Sequence, residues 1–301
     1  MQHIFMTGVT GFFGKSLFDY LGRNPAWAAA CRFVCLSRDP AAFVARHAGL
    51  LERFPARLDW IAGDVRDFAF PSGPFDAIIH AATSTMTTIP DAEQTSVILD
   101  GTRRVIEFAR QAGCPKILFT SSGAVYGPQT EAVGEDAPCR PAIAYGRAKL
   151  DAERMLAESG LEAKIARCFA FVGPHLNRDI HFAIGNFIRD GLAGRPIVIQ
   201  GDGTPRRSYL HADDLMEWLL AILDRGAANR PYNVGGDRMV SIRELAEIVR
   251  RVLGAAGEIV VQGRPDETRP PSVYAPRIER VQHELGLRVK IGLEEAIRKS
   301  V

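Results

Sequence analysis

Tyr145 and Lys149 stand four apart in Ala144-Tyr145-Gly146-Arg147-Ala148-Lys149. On a helix, positions i and i+4 share one face, which sets an ammonium beside a phenol and lowers the phenol's pKa toward the working pH. That matters because a phenol with a pKa of about 10 is a poor base at neutral pH until a cation stabilises phenolate. The same chain begins Met6-Thr7-Gly8-Val9-Thr10-Gly11-Phe12-Phe13-Gly14, with a strand-like run before the glycines and a helical pattern after them. Glycines in that context turn the chain tightly and let backbone N–H groups and a helix N-terminus approach a pyrophosphate. Each signal is weak alone. A proton-transfer pair together with a dinucleotide site points to hydride chemistry on a hydroxyl or carbonyl.

Further polar groups fall where such a site needs them. At the end of the second expected strand, where an acidic residue would take a ribose 2′-OH, the chain has Ser37 and then Arg38. A guanidinium there pairs a 2′-phosphate and covers the adenine face, so NADP is expected over NAD; a surface arginine paired with Asp39 is the plain alternative. Asp64 closes the third strand as a candidate acceptor for the adenine amino group, with Val65 beside it. Thr83, Ser84 and Thr85 follow the fourth strand, at the carboxyl edge where open sheets bind ligands.

These groups need a frame. Apolar runs at Gln2–Met6, Phe33–Leu36, Leu58–Ala62, Ala77–Ala81, Lys116–Thr120 and Ala163–Arg167 read as strands. Helical patterns lie between them at Lys15–Leu21, Ser96–Gln111 and Ala144–Glu158. The alternation predicts βα units and an α/β fold of Rossmann type, a doubly wound parallel sheet. Residues 1–169 are expected to form this core, with a later return near 211–236 through a helix over Asp213–Asp224 and a strand from Pro231 to Gly236. Glycine- and proline-rich stretches break up residues 170–210 and 237–301, which read as a smaller C-terminal lobe that binds the substrate. Within it Ser241 begins a helix running to Leu253, with Glu244 at capping-box spacing.

At 301 residues, 47% of them hydrophobic, the chain can bury a large core. A formal net charge of +2 with no long basic block disfavours nucleic acid as a partner. Five cysteines without a C-x-x-C pair suit a reducing cytoplasm, and no apolar stretch approaches the roughly 20 residues of a membrane span. With the strand starting within six residues of Met1, the expectation is a soluble, unanchored cytoplasmic protein without a signal peptide or a bound metal.

In order along the sequence stand Thr7-Gly8-x-x-Gly11-x-x-Gly14, Gly63-Asp64-Val65-Arg66-Asp67, His80-Ala81-Ala82, Thr120-Ser121-Ser122-Gly123-Ala124-Val125-Tyr126-Gly127, Tyr145-x-x-x-Lys149, Gly173-Pro174, and Gly201-Asp202-Gly203 leading to Arg207-Ser208-Tyr209-Leu210-His211-Ala212-Asp213-Asp214. Over nearly its whole length the chain thus resembles the extended short-chain dehydrogenase/reductases, the nucleotide-sugar epimerase/dehydratase/reductase group. The resemblance implies that Tyr145 is the general acid/base, that Lys149 holds the nicotinamide ribose, and that Ser122 donates to the same sugar oxygen. It places the cofactor against Gly8, Gly11, Phe12, Phe13, Gly14, Ser37, Arg38, Asp64, Val65, Ala81, Ala82, Thr83 and Ser121, besides Tyr145 and Lys149. Substrate contacts are expected from Thr85, Ser122 and Asn186, and diphosphate contacts from Arg207 and Arg264, with Arg206 and Arg269 as the competing choices. The stretch His175–Phe182 reads as a substrate-loop lid in which His181 is a lone histidine.

Departures from the family pattern narrow the chemistry. Gly123 and Ala124 occupy the places of the 4,6-dehydratases' Asp-Glu pair, and Ala124 that of the decarboxylases' glutamate. Ala170 replaces an asparagine that touches substrate phosphate, and Ile98 an asparagine beside the cofactor. What remains is hydride transfer at one ring carbon. The Ser37-Arg38 pair favours NADP-linked reduction of an NDP-4-keto-6-deoxyhexose; the alternative is a 4-epimerase with retained NAD, and the third reading a non-catalytic dinucleotide-binding protein. A homodimer built on the helix pair over 96–111 and 144–158 is expected from the family.

Overall fold

The computed structural model describes residues 2–301 except 55, 84–88, 180–181 and 267. Six strands come first: β1 (Gln2–Thr7), β2 (Cys31–Ser37), β3 (Arg57–Ala62), β4 (Ala77–His80), β5 (Lys116–Ser122) and β6 (Glu162–Cys168). With the later strand Arg230–Val234 they make one seven-stranded sheet, ordered Arg230–Val234, β6, β5, β4, β1, β2, β3 and parallel throughout. Ile4, Phe5 and Met6 of β1 and Ala77, Ile78 and Ile79 of β4 are all buried, as continuous apolar runs must be when helices cover both faces. Chain order reverses between β1 and β4, which opens a crevice above their carboxyl ends.

One face is covered by the helices Phe12–Arg23 and Ala212–Arg225, whose Phe18, Leu21, Trp218 and Ile222 are fully buried. The other carries Asp91–Gln111 and Ala144–Ala157. In the second of these, Ala148, Ala152 and Leu156 form an i, i+4, i+8 stripe against the sheet, and truncating such a leucine to alanine costs about 2–5 kcal/mol. The helix expected from Ser96 begins at Asp91: residues 91–95 carry no apolar period, but Asp91 and Glu93 complement the positive end of the helix dipole.

The returning strand ends at Val234 rather than Gly236, because Gly236 is pressed onto another segment; a Cβ there would lie 2.4 Å from the Tyr209 carbonyl oxygen. In the C-terminal region Ile197–Ile199 pairs with Ile259–Val261. Arg206–Ser208 is flanked by Met239–Ser241, antiparallel, and by Val273–Tyr274, parallel. Their core contains Ile184, Phe187, Leu245, Val249 and Ile297. The capping box is present: Glu244 N–H donates to Ser241 Oγ (3.0 Å) and Ser241 N–H to Glu244 Oε2 (2.6 Å). No helix among the described residues is long and apolar enough to cross a membrane.

Candidate active site

The crevice between β1 and β4 is shaped by close backbone contact. Gly8 has φ +77°, and a Cβ there would lie 2.4 Å from the Ala81 carbonyl carbon. A Cβ on Gly14 would lie 2.1 Å from the Val9 carbonyl oxygen. The helix starting at Phe12 follows Gly11 with no side chain capping it, so its first N–H groups face the crevice without an internal partner.

A buried proton chain holds the two strand ends together. Thr102 spends its hydroxyl proton on the Ile98 carbonyl (2.6 Å), so its Oγ1 accepts from His80 Nε2 (3.1 Å). With its proton on Nε2, His80 accepts at Nδ1 from Thr7 Oγ1 (2.8 Å), which in turn accepts the Ala82 N–H (3.2 Å). Burial, with Lys149 in second place, pulls the His80 pKa down to about 3, so the ring is neutral. Ile98, which replaces an amide expected from the resemblance, has its side chain in the core.

At the carboxyl end of β5, Ser122 begins the short 3-10 turn Gly123–Tyr126, and its Oγ accepts the Ala124 N–H (3.2 Å). The helix Ala144–Ala157 brings Tyr145 and Lys149 to this end. Lys149 is buried, donates to the Thr120 carbonyl (2.9 Å) and has its ammonium 4.7 Å from the centre of the Phe119 ring and 5.9 Å from that of Tyr145. The expected lowering of the tyrosine pKa by lysine is not what the folded chain produces. Burial raises the Tyr145 phenol, and Tyr274 and Cys168 add to the rise while Ser122 opposes it. Lys149 is itself pulled down to about 8, chiefly by burial. The apolar floor that brings the pair together also withholds solvation from both charged forms.

Ser121 points elsewhere than expected: its hydroxyl donates to Glu153, which is paired with Arg167 (2.7 Å) in the protein interior. Only the Ser121 backbone remains for a cofactor. Tyr274 is a group that the sequence did not signal, with its Oη 3.3 Å from Ser122 Oγ.

At the end of β2, Ser37 is buried and accepts the Asp39 N–H (3.2 Å), while Arg38 is exposed. Asp39 caps the next helix through the Ala42 N–H (2.9 Å) rather than pairing with Arg38. Asp64 is committed to Arg66 by bonds of 2.7 and 3.1 Å, which with burial opposing hold its carboxyl below the ordinary range; this pairing competes with an adenine contact. Val65 is buried against Gly101.

On the substrate side, Arg207 lies half-buried with its guanidinium 5.7 Å from the centre of the Tyr274 ring, and burial lowers its pKa. No carboxylate among the described residues pairs with it. Arg206 and Arg264 are exposed, and Arg264 lies on the loop after Ile259–Val261. The buried Asn186 Oδ1 and Thr83 Oγ1 have no partner among the described residues. Thr85, its neighbour Ser84 and His181 lie outside the described residues. Of the loop 175–182, Asn177–Asp179 is braced by Arg189, which donates to the Arg178 carbonyl (3.1 Å) and pairs with Asp179 (3.2 Å).

Backbone approach at Gly8 and Gly14, an uncapped helix start and an orphaned Thr83 hydroxyl fit the pyrophosphate and ribose of a dinucleotide. Comparison with known proteins agrees. A family model described as the NAD dependent epimerase/dehydratase family matches residues 4–235. UDP-glucuronic acid decarboxylase 6 of Arabidopsis thaliana is 29% identical over 312 residues, spanning 98% of this chain and 87% of that protein. UDP-glucuronic acid 4-epimerase of Bacillus cereus shares the fold with a TM-score of 0.84 at 22% identity, over 99% of this chain and 98% of that one. UDP-glucose 4-epimerase of Thermotoga maritima does so with a TM-score of 0.83 at 20% identity, over 99% and 97%.

Proposed function

The chain belongs to the NAD dependent epimerase/dehydratase family, NAD(P)-dependent enzymes that act on nucleotide sugars, and on that footing we propose that it is a UDP-sugar 4-epimerase that retains NAD. The observation that carries this reading is a proton-handling cluster, Tyr145, Ser122 and Lys149, with glycine and alanine rather than carboxylates at 123 and 124. A Cβ on Gly123 would lie 2.6 Å from the Phe169 ring, so no carboxylate fits there without displacing that ring, and Ala124 ends in a methyl. Elimination and decarboxylation lack their side chains, which leaves oxidation and reduction at one carbon.

NAD, when bound, supplies the hydride acceptor and donor. The chain's own residues do the rest. Tyr145 takes the proton of the sugar C4 oxygen and returns it, and Ser122 donates to the same oxygen. Lys149, held on the Thr120 carbonyl, has two further N–H donors for the nicotinamide ribose. Gly8, Gly11 and Gly14 admit the pyrophosphate, with Phe12, Phe13, Ala81, Ala82 and Thr83 around it. Arg207 holds the sugar-side diphosphate, and Asn186 offers its free amide oxygen. Because the 4-keto sugar is reduced again before release, cofactor is conserved. The Bacillus cereus 4-epimerase structure holds NAD with UDP-4-deoxy-4-fluoro-glucuronic acid, and the Arabidopsis decarboxylase is named for UDP-glucuronic acid.

A second reading, NADPH-dependent 4-keto reduction, is favoured by one observation: Arg38 is exposed beyond β2, where Ser37 replaces the acid. Denaturing the purified protein and assaying the released nucleotide separates the two. The expected result is stoichiometric NAD, with interconversion of UDP-glucose and UDP-galactose, or of the corresponding uronates, seen by NMR. Release of no nucleotide, together with NADPH consumption on an NDP-4-keto-6-deoxyhexose, overturns the epimerase. We also infer a homodimer and a substrate-binding role for 170–210 and 237–301; light scattering that returns the mass of one chain sinks the first.

A further inference from the structure

Tyr274 is carried to the catalytic hydroxyls by the small three-stranded sheet. It sits opposite Arg207 in the parallel pairing with Arg206–Ser208, and Val273 N–H is tied to the Gln129 carbonyl (2.8 Å). Its ring rests 4.9 Å from that of Phe169, with the Arg207 guanidinium also against it. The phenol oxygen therefore has little freedom. It lies 3.3 Å from Ser122 Oγ and 3.4 Å from the Cys168 carbonyl oxygen.

Counting protons shows what this arrangement does. Ser122 and Tyr274 have one hydroxyl proton each, and one Ser122 lone pair is taken by the Ala124 N–H. If Tyr274 donates to the Cys168 carbonyl, its oxygen is open to the Ser122 proton, which on that bond points away from any sugar oxygen, in competition with Tyr145 as the other hydroxyl beside Ser122. If Tyr274 donates to Ser122 Oγ, the serine proton is free for the reacting oxygen. Both contacts are long for O–H···O bonds, so neither arrangement is locked.

We propose that Tyr274 is a positioning residue that turns the Ser122 proton onto the reacting oxygen, shifting its own donation from the Cys168 carbonyl to Ser122 Oγ when the sugar is seated. The run Tyr274 to Ser122 to sugar oxygen is a chain of donors in which each bond polarises the next. Arg207 lies against the same ring, so the diphosphate end and the catalytic hydroxyl are joined through one side chain. The part of this concerning the sugar rests on the hydride-transfer reading above; the Tyr274–Ser122 coupling does not.

Tyr274→Phe keeps the ring and removes the hydroxyl. With unchanged melting temperature and cofactor content, its kcat is expected to fall about tenfold, the scale of one net hydrogen bond, with KM within about twofold. In a Ser122→Ala background the same change is expected to cost nothing more, whereas Tyr274→Leu also raises KM by withdrawing the ring beneath Arg207. Independently of turnover, the 19F resonance of 3-fluorotyrosine installed at 274 is expected to move on Ser122→Ala. An unchanged kcat in Tyr274→Phe, a full further loss in the double variant, or an unmoved 19F resonance overturns the proposal. If the wild type turns over no nucleotide sugar while the resonance moves, the reaction reading falls and the coupling stands.

Discussion

Lys149 holds its ammonium on the Thr120 carbonyl at 2.9 Å, and burial takes its pKa from 10.5 to about 8. Between those two values this lysine binds more protons in the unfolded chain than in the folded one, so its contribution to stability rises as pH climbs from about 8 to 10.5. Below that window the folded protein carries the full penalty of a buried cation, on the order of 3 kcal/mol. Lys149→Met removes the titration. Burial raises the Cys31, Cys35, Cys114 and Cys168 thiols, which lowers stability over the same window in both proteins, so urea unfolding of the cofactor-free protein at pH 8 and 10 is expected to show wild type gaining relative to the variant; parallel behaviour of the two refutes the assignment. Tyr145→Phe is expected to lower kcat about 10²- to 10⁴-fold with bound NAD retained, measured on the epimerisation assay. The Tyr145–Lys149 pair was legible in the sequence because one helical turn separates the two, whereas Ser122 came from the family resemblance of its strand end. Tyr274 was not, because it meets Ser122 across 152 residues.

The strand ends that hold the cofactor crevice depend on a relay of hydroxyl and imidazole groups rather than on glycines alone. Thr7, His80 and Thr102 satisfy one another in a buried site, and their proton directions follow from the donation of the Thr102 hydroxyl to the Ile98 carbonyl. Thr102→Val keeps the shape and removes the acceptor for His80 Nε2. It is expected to cost about 1–3 kcal/mol of stability, the penalty of a buried unpaired donor, and to weaken NAD retention because β4 shapes the wall against Gly8. Denaturant unfolding checks the first effect and nucleotide release the second. The glycines themselves were readable from their place between a strand and a helix. That the Ser121 hydroxyl is spent on Glu153 was not readable, since residues on β5 alternate faces and only the packed sheet shows Glu153 on that side.

Across the molecule, Arg167 of β6 pairs with Glu153 of the Ala144–Ala157 helix at 2.7 Å, and both side chains are under a tenth exposed. Arg167 also donates to the Tyr126 hydroxyl (3.0 Å), which donates to Asn233 (2.8 Å), whose amide reaches the carbonyls of Val133 and Arg277. The network ties β6, the Ala144–Ala157 helix, the returning strand and the C-terminal region into one body. Removing one partner leaves a buried charge, so Glu153→Ala is expected to cost about 3–5 kcal/mol, and the Glu153→Met, Arg167→Met pair less than that single change. Equilibrium unfolding of the two variants checks the order; a double variant less stable than Glu153→Ala contradicts it.

Periodicity, turn chemistry and i, i+4 spacing act over a few residues, so the parallel sheet, the glycine turn and the tyrosine–lysine pair were readable from the chain alone. The electrostatics and the wider site came from packing between distant segments. Desolvation of Tyr145 and Lys149, commitment of Asp64 and Ser121 to internal partners, closure of Gly123 by Phe169 and arrival of Tyr274 at Ser122 all depend on which distant segments pack together. Burial and long-range contact have no local signature, so the chain could announce its chemistry without revealing how its charges would be held.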